Sequence, residues 1–377
     1  MQKWLLLCIF FFLFSCTKTE NFSETETKKF PLKYAENYQI DSLDNKNFLI
    51  SVQVFLANDT VTTKYLLTKN DSSVFQKKYK DAIKIHIPVK RIVALSGTYY
   101  AFLDALEETE RIVGFSSAKE AADTLLYKKI KANQIAEVSK NHRIDEERIY
   151  KLNPDLVLNY ATGSAFDADL TKLKKAGIPV LLTSEWQEIS PLGKAEWIYL
   201  FRFLTDNFRA DSVFKETADA YEFLKDSIAR QKNSCTPVLA GTPSGGFFYA
   251  PGDNSYTNTL IQDAGGCLVF EKESKKERKL SLESAYLAAR KAKIWINPGV
   301  SSERELLNAD KRIEKSDVFK NKRIYNYHKQ QGTEGAFHFY EKGILKPAEI
   351  LADFIKILNT ENIPDSSLLW YKNIFYN

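Results

Sequence analysis

The stretch Asp155-Leu-Val-Leu-Asn-Tyr160, followed after a polar loop by Asp169-Leu-Thr-Lys-Leu-Lys-Lys-Ala-Gly-Ile-Pro-Val-Leu-Leu-Thr183, decides the reading of the fold. Residues 155–159 form a compact apolar run. Leu170, Leu173 and Ala176 fall on one helical face, Gly177 stops that helix with Pro179 just beyond it, and a second apolar run occupies 178–183. This is the grammar of a strand, a crossover helix and a parallel strand. The same alternation extends in both directions, with apolar runs at 91–95 and 111–115 before it and at 236–240, 247–250, 268–270, 293–297 and 323–326 after it. Compact apolar strands separated by helix-period segments mark parallel sheets covered by helices.

Two long helical patterns, 192–208 and 211–232, interrupt the series. The second sets Phe214, Ala218, Tyr221, Leu224 and Ile228 at three- and four-residue steps, and at 1.5 Å per residue it would extend roughly 33 Å. The fold class expected is therefore α/β, with two Rossmann-like lobes joined by one long helix. The expected divisions are lobes at 89–208 and 234–360 and a connecting helix at 209–233. Residues 34–88 differ, with short alternating runs broken at Asn58-Asp59 and Asn70-Asp71, and read as a small antiparallel β extension. The lobes echo each other: Glu147 starts a short helix leading to the strand at 156–158, as Glu283 starts one leading to 294–296. A repeated lobe leaves a cleft, and ligands of such folds sit at the carboxyl ends of the strands.

The amino terminus sets the compartment. Lys3 precedes an apolar run at 4–14 that is too short to span a bilayer, and Leu13-Phe14-Ser15-Cys16 ends it, as in a lipoprotein signal peptide. Cys16 is the expected lipidation site, with an ordinary secretory cut as the alternative. Residues 17–33 would form a flexible tether. With 53 basic against 48 acidic residues the net charge is +5, too balanced for a nucleic-acid binder. Once Cys8 and Cys16 are set aside, Cys235 and Cys267 remain. Two separate buried thiols are the expectation, a disulfide the alternative.

No nucleotide-binding glycine loop, zinc-protease motif or nucleophile elbow occurs, which weighs against an enzyme. His86, His142, His328 and His338 are scattered, and none has zinc spacing. His338 or His328 could line a cleft or serve as a haem axial ligand, the plainer reading being a core or surface histidine. The expected strand ends instead carry aromatic and small polar groups: Thr98, Tyr99 and Tyr100, then Tyr160, then Glu185, Trp186, Gln187 and Glu188, then Phe247, Phe248, Tyr249 and Tyr256. Such walls suit a large, flat, partly apolar ligand.

Between about residues 88 and 359 the chain resembles the substrate-binding proteins of ATP-binding-cassette importers of the cobalamin and ferric-siderophore class. The resemblance rests on Arg91-Ile-Val-Ala-Leu-Ser-Gly-Thr98, Arg111-Ile-Val-Gly114, Glu147-Arg-Ile-Tyr-Lys-Leu-Asn-Pro-Asp-Leu-Val157 and Ala176-Gly-Ile-Pro-Val180. Glu185-Trp186 with 190–197, Pro251-Gly252, Asn254-Ser255-Tyr256 and Asp263-Ala-Gly-Gly266 are similar to lipoproteins of this class from Bacteroidetes-type bacteria.

The resemblance implies a monomer on the periplasmic side of a bacterial membrane, with no resident cofactor, that closes modestly on its cargo and passes it to a permease dimer. It also implies permease docking by Glu147 and Glu283, the alternative being helix-start glutamates favoured by the macrodipole. The cargo expected is a ferric siderophore, with a corrinoid or haem as alternatives. Lys194, Arg143 and Lys329 are candidate cationic anchors for an anionic chelate. The ligand set expected is Thr98, Tyr99, Tyr100, Tyr160, Glu185, Trp186, Glu188, Phe247, Tyr249, Tyr256 and His338. Two competing readings are a lipid-anchored hydrolase pairing Ser96 or Ser244 with His338, and a structural lipoprotein with a filled seam between its lobes.

Overall fold

A computed structural model of the chain describes residues 27–55, 59–70, 73–140, 143–160, 166–230, 234–270 and 277–376. The leader, Cys16 and His142 lie outside the described residues. The first lobe is built on a parallel sheet in the order Val180–Thr183, Leu156–Tyr160, Ile92–Ala94, Ile112–Phe115, Ala136–Glu137. Leu156 pairs with Ile92 and Val157 with Val180, so the first run of the opening stretch is an interior strand of this sheet and the second run is its edge. Its crossover helix, Phe166–Lys175, buries Leu170 and Leu173 and ends before Gly177 at φ +80°. Ala176 falls past the helix end and is exposed.

The second lobe repeats the plan, with sheet order Gly266–Leu268, Thr236–Ala240, Ile294–Ile296, Ile324–Asn326, Lys372–Asn373. All its neighbours are parallel except the last, where Tyr325 pairs antiparallel with Asn373. The chain beyond residue 360 thus returns to complete this sheet. The helix Arg209–Ala229 joins the lobes; its 21 residues bury Ala210, Phe214, Tyr221 and Ile228, with Phe214 in the core of the first lobe and Tyr221 in that of the second.

Four expectations change. Residues 192–208 form two helices, Pro191–Glu196 and Ile198–Thr205, because the chain tightens at Trp197, whose N–H reaches the Lys194 carbonyl only three residues back. Residues 247–250 belong to an antiparallel sheet of Thr242–Ser244, Phe247–Pro251 and Glu277–Ser281 beside the lobe, not to its parallel sheet. Gly241 makes this branch possible: at φ +131° a Cβ there would lie 2.3 Å from the Tyr249 carbonyl oxygen. Cys235 and Cys267 are not separate thiols but a disulfide, because Pro237 pairs with Cys267 on adjacent strands and the two cysteine Cα atoms come within 5.6 Å.

The fourth change concerns the amino-terminal extension. It is a five-stranded sheet, Lys28–Lys29, Tyr38–Ser42, Asn47–Phe55, Thr60–Thr68 and Ile83–His86, whose last pair is parallel rather than antiparallel. It shares one core with the first lobe: Ile40, Ile50, Val52 and Tyr65 pack in the same cluster as Tyr99, Phe102, Trp197 and Phe201. Two buried carboxylates fix the joint. Glu196 accepts the backbone N–H groups of Lys33, Tyr34 and Ala35 at 2.7–2.9 Å, and Glu188 accepts those of Glu36 and Asn37 together with the Trp197 indole N–H.

Candidate functional site

The carboxyl ends of both sheets meet in a cavity of about 200 Å³. In the first lobe Ser96 caps the helix Gly97–Ala105 through the Thr98 N–H, which sets Thr98 at the rim of the cavity. The turn Glu185–Gln187, directly after the strand Val180–Thr183, brings Glu185 and Trp186, and the helix Pro191–Glu196 brings Lys194. From the second lobe come Tyr256, Thr257 and Leu260 on a helix capped by Ser255, Asn297 directly after the strand Ile294–Ile296, and Tyr327 directly after Ile324–Asn326. Phe339, Tyr340, Gly343, Ile344 and Tyr371 close the remaining wall. The walls are largely aromatic, with Trp186, Tyr256, Tyr327, Phe339, Tyr340 and Tyr371; Tyr327 stacks on Phe339 at 4.7 Å, and Tyr340 donates to the Tyr327 hydroxyl at 2.6 Å.

The charges in the cavity oppose each other. The Lys194 ammonium donates to the Trp186 carbonyl at 3.1 Å and stands 4.3 Å over the Tyr256 ring. Burial lowers its pKa to about 8, against the pull of Glu185 and Glu188. Glu185 is only 3% exposed, and burial raises its pKa. Among the described residues, Glu185 Oε2 and Asn297 Oδ1 are buried polar atoms at this cavity without a hydrogen-bond partner, and the Tyr371 hydroxyl has only the Asn297 amide beside it. Buried polar atoms are normally paired, so such a group at a cavity wall points to an exogenous partner.

Of the residues expected to bind ligand, the structure brings Thr98, Glu185, Trp186 and Tyr256 to this cavity. Tyr99 and Tyr100 instead point into the first lobe, where their hydroxyls meet Thr183 at 2.7 Å and Asp123 at 2.9 Å; they start a helix, so successive side chains diverge around it. Tyr160 ends its strand half-buried and does not line the cavity. Glu188 holds the amino-terminal segment. Phe247 and Tyr249 lie on the side sheet, where the Lys279 ammonium stands 3.9 Å over the Phe247 ring, and Phe248 is core. Lys329 is committed to the Leu368 carbonyl at 2.5 Å and to the Asp365 carbonyl, and Arg143 does not line the cavity, so among the described residues Lys194 is its one cation.

His338 does not line the cavity either. It sits in a bridge from the second lobe onto the first, where Thr98 Oγ1 donates to the Tyr340 carbonyl at 3.1 Å, Glu341 accepts the Ala122 N–H at 3.0 Å and Lys342 pairs with Asp123 at 2.7 Å. His338 Nδ1 lies 3.8 Å from Glu341 Oε1, neither atom has a hydrogen-bond partner, and burial lowers the imidazole pKa. Neither Ser96 nor Ser244 bonds to it. His328 is held by Ser301 at 2.6 Å and stacked on Phe337, with burial lowering its pKa to about 4. Among the described residues no group of three or more His, Cys, Asp or Glu side chains is placed to hold a metal ion.

Asn297, Tyr327, Phe339, Tyr340 and Tyr371 were not anticipated. The strand-end rule applied evenly to both lobes would have found Asn297 and Tyr327; Tyr371 gave no signal, being in a tail outside the expected lobe. Glu147 and Glu283 both stand in the first turn of short helices, capped by Asp145 and Ser281. Glu147 is exposed and only 4.0 Å from Lys151, whereas Glu283 is engaged by Arg312 at 2.8 Å.

A family model described as periplasmic binding protein matches residues 92–331. An uncharacterised lipoprotein of Methanocaldococcus jannaschii is 23% identical over 354 residues, which cover 88% of this chain and 82% of the relative. Among solved structures, a possible iron-binding (periplasmic solute-binding) protein from Staphylococcus epidermidis aligns with TM-score 0.56 and 20% identity over 72% of this chain and 100% of its own. A periplasmic haem-binding protein from Pseudomonas aeruginosa aligns with TM-score 0.55 and 14% identity over 77% and 100%. At these identities the structural likenesses speak for the fold, and the family match carries the assignment: the chain belongs to the periplasmic binding protein family.

Proposed function

We propose that this protein is the lipid-anchored substrate-binding component of an ATP-binding-cassette importer, holding an iron chelate between its lobes and delivering it to a permease dimer. The observation that carries this reading is the interlobe cavity itself, with aromatic walls and the unpaired buried acceptors of Glu185 and Asn297 where the strand ends of both lobes converge. The binding of iron and haem named for the two aligned structures supports the cargo class, and the lipoprotein relative supports an anchor at Cys16 on the periplasmic side. Corrinoid and haem are the alternative cargoes. A cavity of this size lies below the roughly 300–1,000 Å³ of ordinary ligand sites, so on this reading the lobes part to admit any of these cargoes.

Glu147 and Glu283 are the proposed permease contacts, one on each lobe. For Glu283 docking means exchanging Arg312 for an arginine of the permease, a near-even trade between exposed charge-assisted bonds. The test is uptake of radiolabelled ferric chelate by cells expressing the permease, beside the affinity of the purified protein. A Glu147→Arg, Glu283→Arg double variant is expected to lower uptake at least about tenfold while leaving Kd within about twofold. Uptake that persists when the protein is deleted contradicts the importer role, and a variant that loses affinity instead moves the two glutamates from docking to binding.

A further inference from the structure

We infer that the interlobe site selects cargo that presents hydrogen-bond donors and carries no net negative charge, as in a cationic ferric hydroxamate or an amide-rich corrinoid. This rests on the reading of the cavity as the cargo site. It reverses the expectation of an anionic chelate, which depended on three cationic anchors.

Two of those anchors are elsewhere, and the third is already balanced. The Lys194 ammonium is bonded to the Trp186 carbonyl and faces the Tyr256 ring, with the Glu185 and Glu188 carboxylates acting on it. Among the described residues no arginine lines the cavity. An anionic ligand would therefore meet a lysine already bonded to a carbonyl and held in the field of two carboxylates, one of which, Glu185, repels the ligand at the cavity wall, in surroundings where an uncompensated charge is costly. The unpaired atoms have the opposite preference. As a carboxylate Glu185 Oε2 accepts only, as does Asn297 Oδ1, while the Tyr371 hydroxyl beside Asn297 can serve either way. A ligand N–H, hydroxyl or ammonium satisfies both acceptors, while a ligand edge of carboxylate or catecholate oxygens leaves them unpaired.

The experiment measures Kd for the full-length lipoprotein in detergent with four probes: ferrioxamine B, a monocationic hydroxamate; a trianionic ferric tris-catecholate; haem; and cyanocobalamin. Ferrioxamine B or cyanocobalamin is expected to bind at least about tenfold more tightly than the tris-catecholate and haem, and which of the two binds names the source of the donors. Glu185→Gln keeps an acceptor and removes the charge, so it is expected to narrow that ratio; Lys194→Met is expected to widen it. Tighter binding of the tris-catecholate or haem, or ratios indifferent to both substitutions, overturns this inference and leaves the importer reading standing. Absence of binding by all four probes overturns the inference, and the importer reading falls with it only if uptake also fails.

Discussion

Glu188, Glu196 and Asp353 are carboxylates that hold backbone. Asp353 accepts the N–H groups of Leu369, Trp370 and Tyr371 at 2.7–3.0 Å, as the two glutamates hold residues 33–37. The two ends of the described chain are pinned in the same way, which a single sequence does not reveal, because a carboxylate aimed at backbone has no motif. That is why Glu188 read as a ligand group.

Glu341 is a different case. It is 2% exposed, Asp123, Lys342 and His338 face it, and burial raises its pKa to about 7 from the ordinary 4.5. The folded protein thus holds this proton more tightly than the unfolded chain. Its contribution to stability is complete below about pH 4.5 and is lost as the pH rises through about 7, by an amount of order 3 kcal/mol. Glu341→Gln keeps the acceptor for Ala122 and has no proton to lose. Urea unfolding from pH 5 to 8 is therefore expected to show the wild type losing stability relative to this variant by that order, and parallel profiles would contradict the assignment.

At the scale of elements, the apolar runs at 91–95, 111–115 and 155–159 were legible because buried parallel strands need no alternation and stand out between helices. The long helix was legible from Phe214, Tyr221 and Ile228, one heptad apart on its buried face. The side sheet was not, since Phe247–Pro251 has the composition of a lobe strand, and only Gly241 diverts it. The disulfide escaped because pairing depends on strand order: Thr236–Ala240 and Gly266–Leu268 are neighbours in space but 32 residues separate the cysteines. In the chain-entropy picture a loop of that length gives about 3–4 kcal/mol. A Cys235→Ala, Cys267→Ala variant is expected to unfold at correspondingly lower denaturant, with the wild type matching it under reducing conditions. Identical midpoints for oxidised and reduced wild type would contradict a stabilising bridge.

At the scale of the whole molecule, an α/β pair of lobes, a connecting helix and strand ends that converge are what the sequence pattern anticipated, and the family match covers the same region. The amino-terminal sheet has a part in that architecture: it completes the core of the first lobe, and Tyr34 reaches both lobe cores beside the connecting helix. Most of the second-lobe wall was not read in advance: Asn297 and Tyr327 stand at strand ends where the rule reaches them, whereas Phe339, Tyr340 and Tyr371 lie outside the strands, where position in space rather than local composition decides exposure.

The central claim is that cargo sits between the lobes, and Trp186 reports on it directly. Its indole is 48% exposed at the cavity, whereas Trp197, Trp295 and Trp370 are buried elsewhere in the cores. The first measurement is a fluorescence titration of the full-length protein with the same four probes, corrected for probe absorbance, in the wild type and in Trp186→Phe. Saturable quenching by one class in the wild type, with binding by calorimetry retained but most of the quenching lost in the variant, is the predicted result. Binding whose quenching is the same in both proteins would place the cargo away from this cavity and contradict the account.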